Sequence, residues 1–458
     1  MKTLLTNAKV INEYQIFFAD LVIEDGIIQK ILKHSSSEYS DFRNNYNKAE
    51  YNIIDIAFDY LMPGMIDDQV HFRDPGLTHK ADLETESKAA IAGGITSFME
   101  MPNTVPKATT IELLEDKYDI AAKKSYANYS FYLGATNDNI EEVKRIDPAR
   151  ICGVKVFMGS STGNMLVDDE ESLAKIFKEA PSIITTHCED EATINANVKI
   201  FKERHGEDLE IAYHPLIRNH EACYKSSSKA VALAEKYDAR LHVLHISTAD
   251  ELKLFKNHLA LPDKKITAEA CVHHLWFTDK DYALKGAYIK WNPAIKTQGD
   301  RDSLLKAVLD DYIDVIATDH APHTIDEKNN PYFTCPSGGP MVQHALNVLF
   351  EMHFQGKLTL EDIVHKTAHA PAILFKVEKR GFIREGYAAD LTAFKIFRER
   401  GNFEAVTRDS LHYKCKWSPL EGQKFHSKIT KTFVNGAKVY DNGTFLEEKF
   451  AQRLRFKS

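Results

Sequence analysis

Little in this chain would cross-link, anchor or export it. Six cysteines in 458 residues (Cys152, Cys188, Cys223, Cys271, Cys335, Cys415) are scattered, and none forms a CxxC pair. Reduced thiols in a cytoplasmic compartment are therefore expected. No apolar run approaches the ~20 residues that a membrane helix needs. The start, Met1 to Asn7, meets Thr6 and Asn7 before a signal-peptide core forms. Basic blocks are missing too: 58 Lys and Arg against 66 Asp and Glu leave a net charge of −8, which offers nucleic acid nothing to hold. No repeat, low-complexity tract or Pro/Ser linker divides the chain, and no GxGxxG follows an early strand, which disfavours a doubly wound dinucleotide fold. The plentiful residue is histidine. There are 20, several in short apolar runs, where a buried imidazole needs a partner.

The two ends share a texture. Lys2–Ile11, Gln15–Ile23 and Gly26–Leu32 read as short strands with polar turns, and so do Asp390–Phe394, Thr430–Val434 and Lys438–Tyr440. Asn435-Gly436 and Asn442-Gly443 are hairpin signals. One small β-sandwich domain built from residues 1–55 and 380–458 is expected. Between them, β-branched runs alternate with helix-forming stretches: Ile66–Phe72, Ile95–Met101, Tyr129–Ala135, Val154–Met158, Ile183–His187, Leu241–Ile246, Ile266–Val272 and Val315–Thr318. Eight buried-type strands alternating with helices predict an α/β fold, a (β/α)8 TIM-type barrel over residues 56–379.

A barrel carries its active site at the C-terminal ends of its strands. Read in that order, those ends hold His71, Lys155, His187, His245 and Asp319. Any one histidine there is ordinarily a hydrogen-bonded structural residue, and Lys155 between Val154 and Val156 reads alone as a snorkelling edge residue. Strand alternation puts Gln69 and His71 on one face, and allows only one of His242 and His245 to face the axis. Adjacent His273 and His274 likewise cannot both face inward. Jointly, imidazoles plus a carboxylate make a donor set suited to Zn2+. A buried lysine loses its proton readily; its neutral amine reacts with CO2 to a carbamate, an anionic ligand able to bridge two metals.

These residues carry a resemblance to the dihydroorotases of the amidohydrolase superfamily, running from about Leu61 to Asp390. It rests on Pro63-Gly64-Met65-Ile66-Asp67, His71-Phe72-Arg73-Asp74-Pro75-Gly76, Met101-Pro102-Asn103-Thr104 and Asp319-His320-Ala321-Pro322-His323-Thr324. His273-His274-Leu275, Asn292-Pro293 and Gly381-Phe382-Ile383…Gly386…Ala389-Asp390-Leu391 support it. The resemblance implies zinc and the reversible cyclisation of N-carbamoyl-L-aspartate to L-dihydroorotate in pyrimidine synthesis. It also implies His187 and His245 on one ion, His71 and Asp319 on the other, and Lys155 as a bridging carbamate. One departure stands out. The family's first strand reads Asp-x-His-x-His, and here the earlier histidine is Gln69, whose carbonyl is a much weaker zinc ligand; one ion or two is left open.

Zinc lowers the pKa of a bound water to about 7 and polarises the carbonyl, and Asp319 is the candidate proton shuttle. Arg73, two residues beyond His71, suits bidentate binding of a substrate carboxylate; its alternative is a surface salt bridge to Asp74. Asn103, Asn292 and His323 resemble the family's remaining substrate contacts. Segments 159–169 and 336–340 are candidate lids, with ordinary solvated loops as the default. Two other functions compete: a hydantoinase, dihydropyrimidinase or allantoinase type of cyclic-amide hydrolase, and a non-catalytic scaffold if Gln69 abolishes metal function. A homodimer is the expectation by analogy with the superfamily.

Overall fold

In the computed structural model, residues 2–159, 165–397 and 405–457 are described. The N-terminal strands are β1 (Lys2–Asn12), β2 (Gln15–Glu24), β3 (Ile27–Lys33), β4 (Tyr51–Asp55) and β5 (Tyr60–Pro63). The last two follow a polar stretch and carry no strong alternation, so the sequence did not announce them. Next come β6 (Met65–Val70), β7 (Ile95–Glu100), β8 (Asn128–Phe131), β9 (Leu133–Gly134), β10 (Val154–Phe157), β11 (Ile184–His187), β12 (Leu241–Val243), β13 (Ile266–Cys271) and β14 (Val315–Ala317). The tail adds β15 (Leu391–Ile396), β16 (Ser427–Val434), β17 (Ala437–Asp441) and β18 (Thr444–Phe445).

The outer strands form one nine-stranded sheet in the order β18-β17-β16-β15-β5-β1-β2-β3, with β4 also on β1. Its core draws on both ends of the chain, with Leu5, Val10 and Leu21 meeting Leu391, Ala393 and Phe433. This is the β-sandwich unit. Asn435 and Gly436, at φ +48° and +79°, make the two-residue turn joining Val434 to its partner Ala437; two consecutive positive φ values are what a type I′ hairpin requires.

The inner strands are all parallel. β9 to β14 form one run and β6-β7-β8 another. The break between runs lies at Tyr132, so the third expected strand is two short pieces. Val70 bridges His320, and His71 N donates to His320 O at 2.7 Å, closing the eighth strand onto the first. The result is the eight-stranded α/β barrel expected. Flanking helices are capped as their sequences suggest: Asp82 accepts from Thr85 N and Asp169 from Ser172 N. Among the described residues, no helix is long and apolar enough to cross a membrane.

Candidate active site and metal centre

Strand β6 does not alternate cleanly. Its register with β7 shifts between Asp67 and Val70, and a bulge of this kind re-aims the residues beyond it. Asp68 therefore reaches across the barrel interior to His242, 3.2 Å away. Its neighbour Gln69 also turns inward, donating from Nε2 to Asp319 Oδ1 at 3.1 Å. His71 follows Gln69 to the mouth.

Two pairs of expected ligands meet there. His71 Nε2 lies 3.2 Å from Asp319 Oδ1, while its Nδ1 donates to Asn103 Oδ1 at 2.8 Å. His187, the last residue of β11, brings Nδ1 to 2.9 Å from His245 Nε2. Its other nitrogen donates to Glu189 Oε2 at 3.0 Å, and Arg218 backs Glu189 at 2.6 Å. Burial alone would raise the Glu189 carboxyl, but Arg218 and His187 outweigh it and hold it well below its usual range. Glu189 and Arg218 were not picked out from the sequence. The signal was there in the His187-Cys188-Glu189 spacing, because a carboxylate behind a ligand histidine fixes its tautomer.

Lys155 is 1% exposed, which excludes the snorkelling reading. Desolvation pushes its ammonium down to about 8, against the opposing pull of Asp319 and Glu269. His245 sits beyond the end of β12 at φ +39°, its backbone N–H donating to Glu269 Oε1 at 3.0 Å. That left-handed residue breaks the alternation between His242 and His245. Both now point into the barrel, so the expectation that only one faces the axis is corrected. His273 and His274 leave the strand altogether for a short helix, Val272–Trp276, where both are buried; alternation does not govern them.

Arg73 is buried at φ +69°, with Nε donating to Pro322 O at 3.1 Å. Asp74 pairs instead with Lys124 at 2.7 Å, and among the described residues Arg73 makes no ion pair, so the surface salt bridge is ruled out. Burial brings its guanidinium down to about 10, still charged at neutral pH. Arg73 Nη2 abuts His323 Nε2 at 3.1 Å. Lys80 donates to His323 Nδ1 at 3.1 Å, which leaves Nε2–H to donate to Ser337 O at 3.0 Å. Asn292 Oδ1 is buried without a hydrogen-bond partner.

The 336–340 segment is strapped down. Lys328 Nζ donates to Pro336 O and Gly338 O, both at 2.9 Å, and Gly338 N donates to Lys290 O at 2.7 Å. It forms a fixed rim, not a loose lid. Of the 159–169 segment, residues 160–164 lie outside the described residues.

The donors at the mouth fit a metal ion. With Nε2–H committed to Glu189, His187 presents a lone pair at Nδ1, directly facing a second imidazole nitrogen. Two such nitrogens at 2.9 Å need a cation or a shared proton between them. Gln69 fits less well, since its amide nitrogen points at Asp319 and its Oε1 faces Cys271 Sγ at 3.6 Å. Two further groups, Cys271-His273-His274 and Asp68-His242-Glu269, bring three potential ligand atoms within 4.8 Å of one another; neither is the expected set.

The amidohydrolase family profile matches residues 60–439. The chain is 31% identical over 435 residues to a dihydroorotase of Methanosphaera stadtmanae, covering 94% of this chain and 95% of the relative. It is 29% identical over 400 residues to an allantoinase of Streptomyces avermitilis, covering 86% and 87%. The L-hydantoinase structure from Arthrobacter aurescens superposes with a TM-score of 0.91 at 24% identity, over 99% of both chains.

Proposed function

The chain belongs to the amidohydrolase family, and from that premise we propose that it is a zinc-dependent dihydroorotase, interconverting N-carbamoyl-L-aspartate and L-dihydroorotate in pyrimidine synthesis. One observation carries the choice among cyclic amides. Arg73 is a buried, charged guanidinium two residues beyond His71; Asp319, Glu100, Glu327 and Glu86 act on it through space, but among the described residues it makes no ion pair. A desolvated cation without a counter-ion is costly, and a substrate carboxylate supplies one. Hydantoin and dihydrouracil rings bring no such group.

His71, His187, His245, Asp319 and Lys155 as its carbamate would hold the zinc; bound there, it would polarise the scissile carbonyl and make water nucleophilic at neutral pH. The remaining steps belong to the chain. Lys155, buried and pushed toward its neutral amine, attacks CO2 through nitrogen and releases a proton to become the carbamate. Asn103 and Glu189 each accept one N–H, from His71 and His187, and so aim the other ring nitrogen inward. Asp319 takes the proton of the attacking water and delivers it to the departing amide nitrogen, with Gln69 Nε2 holding its Oδ1 in place. In the synthetic direction Asp319 reverses those roles. Arg73 orients the ring carboxylate, with Asn103, Asn292 and His323 completing the substrate's surroundings. Gln69's engagement with Asp319 supports one firmly bound ion and a weaker second. A cytoplasmic location agrees with six free cysteines.

The test is ring opening of dihydroorotate followed in the ultraviolet, alongside zinc analysis, for the wild type and Arg73→Ala. The substitution should raise KM for dihydroorotate by about 10- to 100-fold, the size of a lost charge-assisted contact, with a smaller effect on kcat. An unchanged KM, or better turnover of hydantoin, dihydrouracil or allantoin by the wild type, would overturn the assignment. Metal-free protein that zinc cannot activate would favour the scaffold reading.

A further inference from the structure

Beneath the mouth lies a second cluster that the reaction does not use. Asp68 from β6, His242 from β12 and Glu269 from β13 meet inside the barrel, and all three are 0% exposed. The first and sixth strands are not neighbours, so Asp68 and His242 touch only through the interior. His242 Nε2 lies 3.2 Å from Asp68 Oδ2 and 3.8 Å from Glu269 Oε2.

Thr267 Oγ1 reaches both Leu241 O at 3.2 Å and His242 Nδ1 at 2.9 Å. With its hydrogen on Leu241 O, Thr267 accepts from Nδ1–H, and a neutral imidazole would then aim the Nε2 lone pair at two carboxylates. Three negative or lone-pair groups facing one another in a dry interior demand a positive charge. No lysine or arginine among the described residues pairs with Asp68 or Glu269, and Glu269 Oε1 is already occupied by His245 N and Cys271 Sγ.

Against the effect of burial, Asp68 and Glu269 push His242 up to about 9, so a proton on Nε2 is one way to supply the charge, but it serves one oxygen at most. Even the 3.2 Å approach to Asp68 is not aligned as a hydrogen bond: His242 Nε2, both Asp68 oxygens and Glu269 Oε2 are all buried without a hydrogen-bond partner. Charge-assisted hydrogen bonds run at about 2.7–2.9 Å. Ligand atoms around a tetrahedral ion with bonds of about 2.0–2.2 Å sit roughly 3.3–3.5 Å apart, and the observed separations bracket that value. The Thr267 contact is also what a metal-binding histidine needs on its other nitrogen.

We propose that Asp68, His242 and Glu269 hold a structural divalent transition-metal ion, zinc by donor type, sealed in the barrel interior and separate from the metal site at the mouth. One imidazole and two carboxylates are borderline-to-hard donors that suit zinc, manganese or iron(II). Because the cluster has no opening, the ion enters during folding and does not exchange with solvent afterwards.

The test uses the intact protein, isolated from metal-supplemented cells and also refolded with zinc in excess. Anomalous difference maps recorded across the zinc, manganese and iron edges should show a peak enclosed by the three side chains. About one equivalent of metal should survive chelation that strips the mouth. Asp68→Asn should lose that equivalent, whereas His187→Ala should keep it. Should Asp68→Asn fail to fold, the wild-type maps decide alone. An empty triangle in both preparations overturns the proposal, whether or not metal is present at the mouth; a filled triangle beside an inert, empty mouth supports it while sinking the dihydroorotase reading.

Discussion

The barrel carries two tiers of the same residue types, interleaved in the chain. Asp68 precedes His71 by three residues and His242 precedes His245 by three, yet one of each pair lies on the floor and the other at the mouth. The mouth residues His71, His187 and Asp319 keep 5–9% exposure, while the floor residues have none. Close to the mouth, Arg73 makes no ion pair among the described residues, and Asn292 Oδ1 has no hydrogen-bond partner. The floor is backed by Tyr132, whose hydroxyl donates to Asp68 O at 2.9 Å, and by Phe375, edge-on to the His242 ring. Donor chemistry alone therefore does not make an active site. The same imidazole and carboxylate set stands at the mouth in one tier and is sealed in the interior in the other.

Three substitutions would break or sharpen that contrast. The largest effect is expected at the mouth: Asp319→Asn should cut kcat by about 10²–10⁴-fold, the range for a lost general acid–base, with the thermal midpoint nearly unchanged. A fall under tenfold would remove the proton shuttle from Asp319. On the floor the loss should appear in stability instead. His242→Ala strands two buried carboxylates and should cost about 3–5 kcal/mol in urea unfolding; a loss under about 1 kcal/mol would mean that the floor holds no compensated charge. The rim differs from both in responding to pH. Burial pushes Lys328 down to about 7 and Lys290 to about 8. Both bind protons more weakly folded than unfolded, where lysine titrates near 10.4. The unfolded chain thus holds more protons above pH 7, and stability should rise with pH from about 7 to 10, by at most about 1.4 kcal/mol per unit for each lysine. Lys328→Met should flatten that slope; parallel curves for the two proteins would show that the strap on residues 336–340 does not titrate.

Much of the mouth was legible. Eight β-branched runs with polar ends placed His71, Lys155, His187, His245 and Asp319 in the right strands, because parallel barrel strands must be apolar along their length and end where function begins. Arg73 was legible through the Pro75-Gly76 turn beside it. Alternation failed where the backbone left the ideal strand. The β6 bulge sent both Asp68 and Gln69 inward, and the positive φ of His245 returned it to the side already taken by His242. Glu189 was overlooked although it lies two residues from His187; Arg218 and Lys80 were missed because their partners are far away in the chain, Lys80 meeting His323 243 residues on.

By itself the sequence determined the eight barrel strands and their order, the β-rich ends and the missing histidine at position 69, since periodicity and residue type are local properties. Only the tertiary structure decided which of two neighbouring histidines joins His187 at the mouth and which is sealed against Asp68. It also decided that Arg73 makes no ion pair among the described residues and that Gln69 donates to Asp319. Those outcomes depend on bulges, left-handed residues and contacts between strands far apart in the chain, where a shift of one residue changes the face and a few ångströms separate a reachable charge from a buried one.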